Sequence, residues 1–246
     1  MRVAVAALVL FLIGGCASPP KPAPGAGDAT QPQLSIEGPT ELVVDSYALP
    51  SGTGYDAAVA FRVTNPNPSL AALDVPYRVS IGTGATMLFN TDGSDLLSVG
   101  AGETRLVVYG NTLGLLASRP EWARVELFTS PALFKSAVLP AQDSWSIANE
   151  HLACPGVGVQ CTDVVDVTWH GAQPLRSFTL DEAVHRDDAQ GPIVAAGMTS
   201  VRSMAPGQTV SAEVTLAGFE QPVPNGSPVL PTAPLSSEFS FDASTS

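Results

Sequence analysis

The stretch Val165-Asp166-Val167-Thr168-Trp169 alternates apolar and polar residues with a period of two, and so does Val210-Ser211-Ala212-Glu213-Val214-Thr215-Leu216. That period places every second side chain on one face of an extended strand and excludes an amphipathic helix over the same residues. Val59, Phe61 and Val63 share a face in the same way, as do Leu106 and Val108, Val125 and Leu127, and Phe178 and Leu180. Their neighbours Arg62, Glu126, Asp166, Thr168, Ser211, Glu213 and Thr215 are polar, so one face is expected to be wet. Antiparallel sheets stacked as a sandwich produce this pattern, whereas parallel sheets are buried on both faces. Gly102-Glu103-Thr104 and Pro206-Gly207-Gln208-Thr209 read as tight turns leading into strands. With 22 Gly, 22 Pro and 14% charged residues, the composition agrees with a turn-rich, all-β chain. Only Thr112 to Ser118 and Ser130 to Ala137 suggest helix, and both are short.

The pattern occurs twice. Val99 to Thr104 aligns with Met204 to Thr209 at an offset of 105, and Thr64 aligns with Thr168 at 104. Two tandem copies of one β-sandwich are therefore expected, over 34–140 and 141–246.

Phe61-Arg62-Val63-Thr64-Asn65-Pro66-Asn67-Pro68, followed by Leu73, Val75, Tyr77 and Val79, resembles the water-stress and hypersensitive-response domain of type-2 late-embryogenesis-abundant proteins. Residues 192–216 resemble the FxLYD group of bacterial envelope domains. These resemblances imply immunoglobulin or fibronectin-type-III-like sandwiches with no shared catalytic site. Tyr77 to Gly82 departs from the first pattern, lacking its Asn-Gly hairpin. Physical chemistry alone accounts for Asn65-Pro66-Asn67-Pro68: proline ends a hydrogen-bond ladder, and asparagine side chains bond their own backbone in turns.

Met1 and Arg2 precede an apolar run of 11 residues, Val3 to Ile13. A membrane-spanning helix requires about 20, so residues 1–15 read as an export signal peptide. Leu12-Ile13-Gly14-Gly15-Cys16 resembles the bacterial lipobox, which implies that Cys16 is lipidated and becomes the first mature residue. The resemblance implies a diacylglycerol on sulfur and an acyl chain (such as palmitate) on the new amine, and several chains make membrane attachment stable. Ala17, rather than Asp, implies the outer membrane if the host is Gram-negative. Residues 16–33 are rich in Pro, Gly and Ala and read as a tether, spanning up to about 50 Å at ~3.1 Å per residue. The expected location is the cell envelope, periplasmic or exposed. The net charge of −12 argues against nucleic acid, which needs a basic face.

Cys154 and Cys161 remain as an even pair across a Gly-rich span, expected to form a disulfide in an exported protein. His151, His170 and His185 fall in no His-Glu-x-x-His pattern, and neither a Gly-x-Ser-x-Gly elbow nor a Walker loop is present, so no catalytic, cofactor or metal residue is assigned. His185 lies among Asp181, Glu182, Asp187 and Asp188, which read as a solvated hairpin tip, with cation binding as the alternative. Asn90 to Asp95 reads as a turn, because a calcium loop would want an acid where Ala101 stands. Of Trp122, Trp145 and Trp169, the last shares the face of Val165 and Val167; Trp145 is the better sugar-stacking candidate, though packing is favoured for it too. The function expected is a non-enzymatic binding or structural module, whose partner is the membrane through its anchor, with an envelope protein or glycan as a further partner. A desiccation or envelope-stress protectant and a carbohydrate-binding enzyme accessory are the alternatives; clustering of His170, His185 and Asp187 would favour the last.

Overall fold

The computed structural model describes residues 32–49, 52–110, 116–154, 160–219 and 234–243. Cys16, the export signal, nearly all of the tether and residues 112–115 lie outside that set. Among the described residues fourteen strands follow one another: β1 (Ser35–Leu49), β2 (Gly52–Thr64), β3 (Ala71–Thr83), β4 (Thr86–Asn90), β5 (Asp95–Val99), β6 (Thr104–Gly110), β7 (Trp122–Leu127), β8 (Phe134–Lys135), β9 (Trp145–Ala153), β10 (Cys161–Trp169), β11 (Leu175–Arg186), β12 (Ile193–Met204), β13 (Thr209–Gly218) and β14 (Leu235–Asp242). Among the described residues the only helical pieces are single 3-10 turns at Pro131–Leu133 and Gln142–Ser144. The helix suggested over Ser130 to Ala137 is one of these turns running into β8, whose Phe134 and Lys135 pair with Ala72 and Ala71. Its short apolar run is used to cover a sheet edge.

All the strand pairs are antiparallel, and the chain is an all-β sandwich protein. The first half packs the β1-β2-β6 sheet against the sheet built around β3. Val59, Phe61 and Val63 of β2 meet Val75, Tyr77, Val79 and Ile81 of β3 between the layers. Each such side chain, fully buried, contributes about 1.5–3 kcal/mol.

The second half is a six-stranded sheet in the order β14-β11-β12-β13-β10-β9. Only three residue pairs join β12 to β13, from Ala195↔Gly218 to Gly197↔Leu216. At that narrow joint the sheet folds over, so its two ends face each other. Trp145 of β9 accordingly stacks flat on Phe241 of β14, 4.4 Å between centroids, although those strands stand at opposite ends of the hydrogen-bonded order. The Gln142 side chain fastens the same seam, donating to the Phe241 carbonyl at 3.0 Å and accepting from the Phe241 N–H at 2.9 Å.

Residues 32–246 form one compact unit, within which similar ladder ends recur. β2 ends at Thr64 opposite Thr104, and β10 nears its end at Thr168 opposite Thr209. The threonine hydroxyls bond across both pairs, at 2.6 and 2.8 Å. The turns that feed β6 and β13 carry Gly102 and Gly207 at φ 68° and 73°, in the left-handed region that glycine enters at least cost. β1-β2-β6 thus corresponds to β9-β10-β13. The far face of β2 is dry. Ala58 and Ala60, with Val43, Leu106 and Val108, pack on Ala183, Ala196 and Ala217 of the second half. Small side chains on both sides let the backbones approach closely, so the expectation of one wet face fails for β2.

Asn65 and Asn67 have the turn roles their chemistry suggests. Asn65 is fully buried and donates from Nδ2 to the Leu70 and Gly100 carbonyls at 2.7 and 2.9 Å. Asn67 Oδ1 accepts from the N–H groups of Ser69 and Leu70 at 3.1 and 2.9 Å.

Candidate functional site

Alternation along β11 directs Phe178, Leu180, Glu182 and Val184 into the folded-over sheet, and Asp181, Ala183 and His185 toward the first half. On β10 the inward positions are Cys161, Asp163, Val165, Val167 and Trp169. One acid therefore sits in phase with the core on each strand. Glu182 and Asp163 are fully buried and meet across the interior.

A third carboxylate joins them from β9. His151 pairs with Val164 and Ala148 with Asp166, so Asn149 and Glu150 together oppose Val165. This is a β-bulge, with Asn149 at φ 53°, and bulges re-aim the side chains they carry. It brings Glu150 to the seam between β9 and β14, where its Oε1 accepts from Ser237 Oγ at 2.6 Å. Glu150, Asp163 and Glu182 each place a carboxylate oxygen within 4.8 Å of the other two. Glu150 is exposed, and the other two are not.

The electrostatics are those of an acid cluster. Asp163 Oδ1 accepts from the His151 N–H at 3.0 Å, while Asp163 Oδ2 and both Glu182 oxygens are buried without a backbone N–H or a cationic partner. Burial, and then the negative charge of Asp163, push Glu182 up to about 9, so it carries a proton at neutral pH. Burial also raises Asp163. Three oxygen ligands around one point can hold a proton or a hard cation.

Across β11 the opposite solution is found. Arg105 of β6, 2% exposed, pairs with Glu103 at 3.3 Å and Asp242 at 3.0 Å. Asp181 is buried beside them; burial raises its pKa well above the ordinary carboxylate value, with Asp242 adding to that and Arg105 opposing it. A second polar cluster joins Arg62, Glu238 and His185 between the halves. His185 is also bonded through Nδ1 to the Gly191 carbonyl at 2.9 Å.

The predicted residues distribute as follows. Cys154 and Cys161 are disulfide-bonded, tying the end of β9 to the start of β10 two residues from Asp163. Cys16 lies outside the described residues. The solvated hairpin tip is correct for Asp187 and Asp188, which are exposed, but not for Asp181, Glu182 and His185, which are buried within β11. His170 is bonded to Ser146 Oγ at 2.8 Å beyond the far end of β11 from His185 and Asp187. A strand rises about 3.3 Å per residue, so His170, His185 and Asp187 form no common site. Asn90 to Asp95 is a turn, with Asp92 Oδ1 taken by the Ser94 N–H at 2.9 Å and Gly93 at φ 81°. Trp145 and Trp169 are both core, while Trp122 lies over Gly82 with its Nε1 donating to the Gly84 carbonyl at 3.0 Å.

Asp163 and Glu150 are the residues that sequence reasoning missed, and Glu182 was named only within an acidic hairpin tip, with cation binding as the alternative and without these two partners. The signal for two of them was an acid in phase with buried apolar positions: Asp163 with Val165 and Val167, and Glu182 with Leu180. No protein-family model matches the chain, and no curated protein matches it.

Proposed function

We propose that the chain is a lipid-anchored, non-enzymatic module of the cell envelope, which holds two fused β-sandwiches beside a membrane and presents them to another envelope protein or glycan. The observation that carries the reading is the seam at Cys16, where an 11-residue apolar run gives way to a Pro-rich stretch through a lipobox-like Leu-Ile-Gly-Gly-Cys. The Cys154–Cys161 bond supports export, because disulfides persist in oxidising compartments. The titratable groups between the halves support a presenting role: Arg105, Arg62, Glu238 and His185 serve contacts between layers. On this reading the chain is related to the water-stress and FxLYD groups, which share its sandwich architecture.

Fatty-acid labelling tests the anchor. The full-length protein incorporates label and sediments with membranes, and Cys16→Ser does neither. Label retained by Cys16→Ser contradicts the proposal. Crosslinking in cells from the anchored form then identifies the presented partner.

A further inference from the structure

We infer that Glu150, Asp163 and Glu182 bind one calcium ion at the seam between β9 and β14. The donors are all oxygen, without a thiolate or imidazole, which selects a hard cation over zinc or copper. Their spacing fits. Calcium binds oxygen at about 2.3–2.6 Å, so two oxygens on opposite sides of one ion stand up to about 5 Å apart. One oxygen from each of the three carboxylates lies within 4.8 Å of the others.

A second observation points to the same ligand independently of the clustering. Glu182 is fully buried, and neither of its oxygens is met by a backbone N–H or a cationic side chain; the groups beside it are the Asp163 carboxyl and the Ser237 hydroxyl. Asp163, also fully buried, leaves Oδ2 without a backbone or cationic donor. Buried acids are normally met by a donor or a counter-charge, and a chain that buries them bare forfeits both their hydration and any return for it. On the outward face of the same strand the chain supplies Arg105 next to Asp181. Here the charges that act on Glu182 are those of Asp163 and Glu150, all negative. The missing positive charge is external.

Magnesium fits less well. It keeps several waters and demands near-ideal octahedral geometry, whereas two of these three ligands are sealed inside a core that includes Leu180 and Val184. Calcium sheds water more readily and accepts irregular, mixed monodentate and bidentate carboxylates. Glu150, exposed on its bulge, marks the way in, and Ser237 Oγ adds an oxygen at the rim. Bound there, the ion links β9, β10 and β11 and closes the folded-over sheet at the end away from the Trp145–Phe241 stack. The inference does not depend on how the chain is anchored.

The test is thermal unfolding of the full-length protein, stripped with EDTA, in CaCl2 from zero to 10 mM at fixed ionic strength and pH 7.5. The Tm is expected to rise saturably, by about 5–10 °C at a hundredfold excess over the dissociation constant. MgCl2 at equal concentration gives a smaller rise. Glu182→Gln abolishes the calcium response, and Glu150→Gln, a change at an exposed position that leaves the core intact, shifts its midpoint at least tenfold even if Glu182→Gln fails to fold. The double variant Asp187→Asn/Asp188→Asn, at the exposed hairpin tip, retains the full response. No saturable rise in the wild-type protein would overturn the assignment. So would an equal response to magnesium, a response unchanged in Glu150→Gln, or one lost in the hairpin-tip variant.

Discussion

Asp181 and Glu182 are neighbours on β11, both buried, and they face opposite ways into different surroundings. Asp181 looks toward the first half and finds Arg105, itself 2% exposed and paired with Asp242 and Glu103. Glu182 looks into the folded-over sheet and finds Asp163 and Glu150. Both acids lose their hydration, yet the chain provides a cation for only one of them. The difference separates two uses of buried charge. Around Arg105 the chain supplies its own cation, although burial still holds Asp181 well above the ordinary carboxylate value, and the network helps set how the two halves dock. Around Glu182 the fold is complete only when a proton or an ion arrives from solution.

The largest expected effect is the response to pH in EDTA. Burial raises the pKa values of Glu182, Asp163, Asp181, Asp242 and Asp56. The folded protein therefore holds protons that the unfolded chain, with ordinary carboxyls, has released. Stability is then greatest below the unfolded values and falls as pH rises from about 4 to 9, by several kcal/mol in all, since a tenfold difference in proton affinity is worth about 1.4 kcal/mol. Glu182→Gln flattens the slope, and thermal melts across that range measure it. A metal-free protein that grows more stable toward pH 9 contradicts the assignment.

Removing Arg105 sharpens the contrast from the other side. Arg105→Met leaves three acids without their cation and costs about 3–5 kcal/mol in denaturant titrations. At pH 8 in EDTA, Glu182→Gln costs nothing or stabilises, because a neutral amide replaces a buried acid that the folded chain must hold protonated above the pH at which the unfolded chain releases its proton. Equal losses for the two variants would erase the distinction between the networks.

The disulfide comes next. Cys154→Ser with Cys161→Ser opens a short loop and costs about 2–3 kcal/mol on the chain-entropy model, measured as a lower urea midpoint. Because the bond holds β9 and β10 two residues from Asp163, the same variant weakens the calcium response, while the docking of the halves through Arg105 is unaffected. The smallest effect belongs to Glu238→Gln. Glu238 and its partner Arg62 are partly exposed, so solvent screens that pair, and Gln can still accept from the buried His185, so the loss stays below about 1 kcal/mol.

The amount of this that the sequence carried depended on how local each signal was. Val59, Phe61 and Val63 name their strand because the period of two acts between nearest neighbours. Thr64 and Thr168, aligned in the sequence, both stand near a ladder end opposite another threonine. Cys154 and Cys161 are close enough in the chain to find one another. Trp145 is different: its burial against Phe241 exists only because three residue pairs between β12 and β13 let the sheet fold over. Ala58 and Ala60 look like ordinary small residues until the second half covers them. Asp163 and Glu182, 19 positions apart, sit in phase with core residues, and that phase was legible; their meeting with Glu150 was not, since it depends on the bulge opposite Val165 and on the closure of the seam.

The contrast between the two faces of β11 is tested most directly by calorimetric titration of CaCl2 into the EDTA-stripped full-length protein at pH 7.5. One saturable site per chain, absent in Glu182→Gln and intact in Arg105→Lys, is the predicted result. Heats no larger than dilution in the wild-type protein, or the same binding in Glu182→Gln, would contradict it.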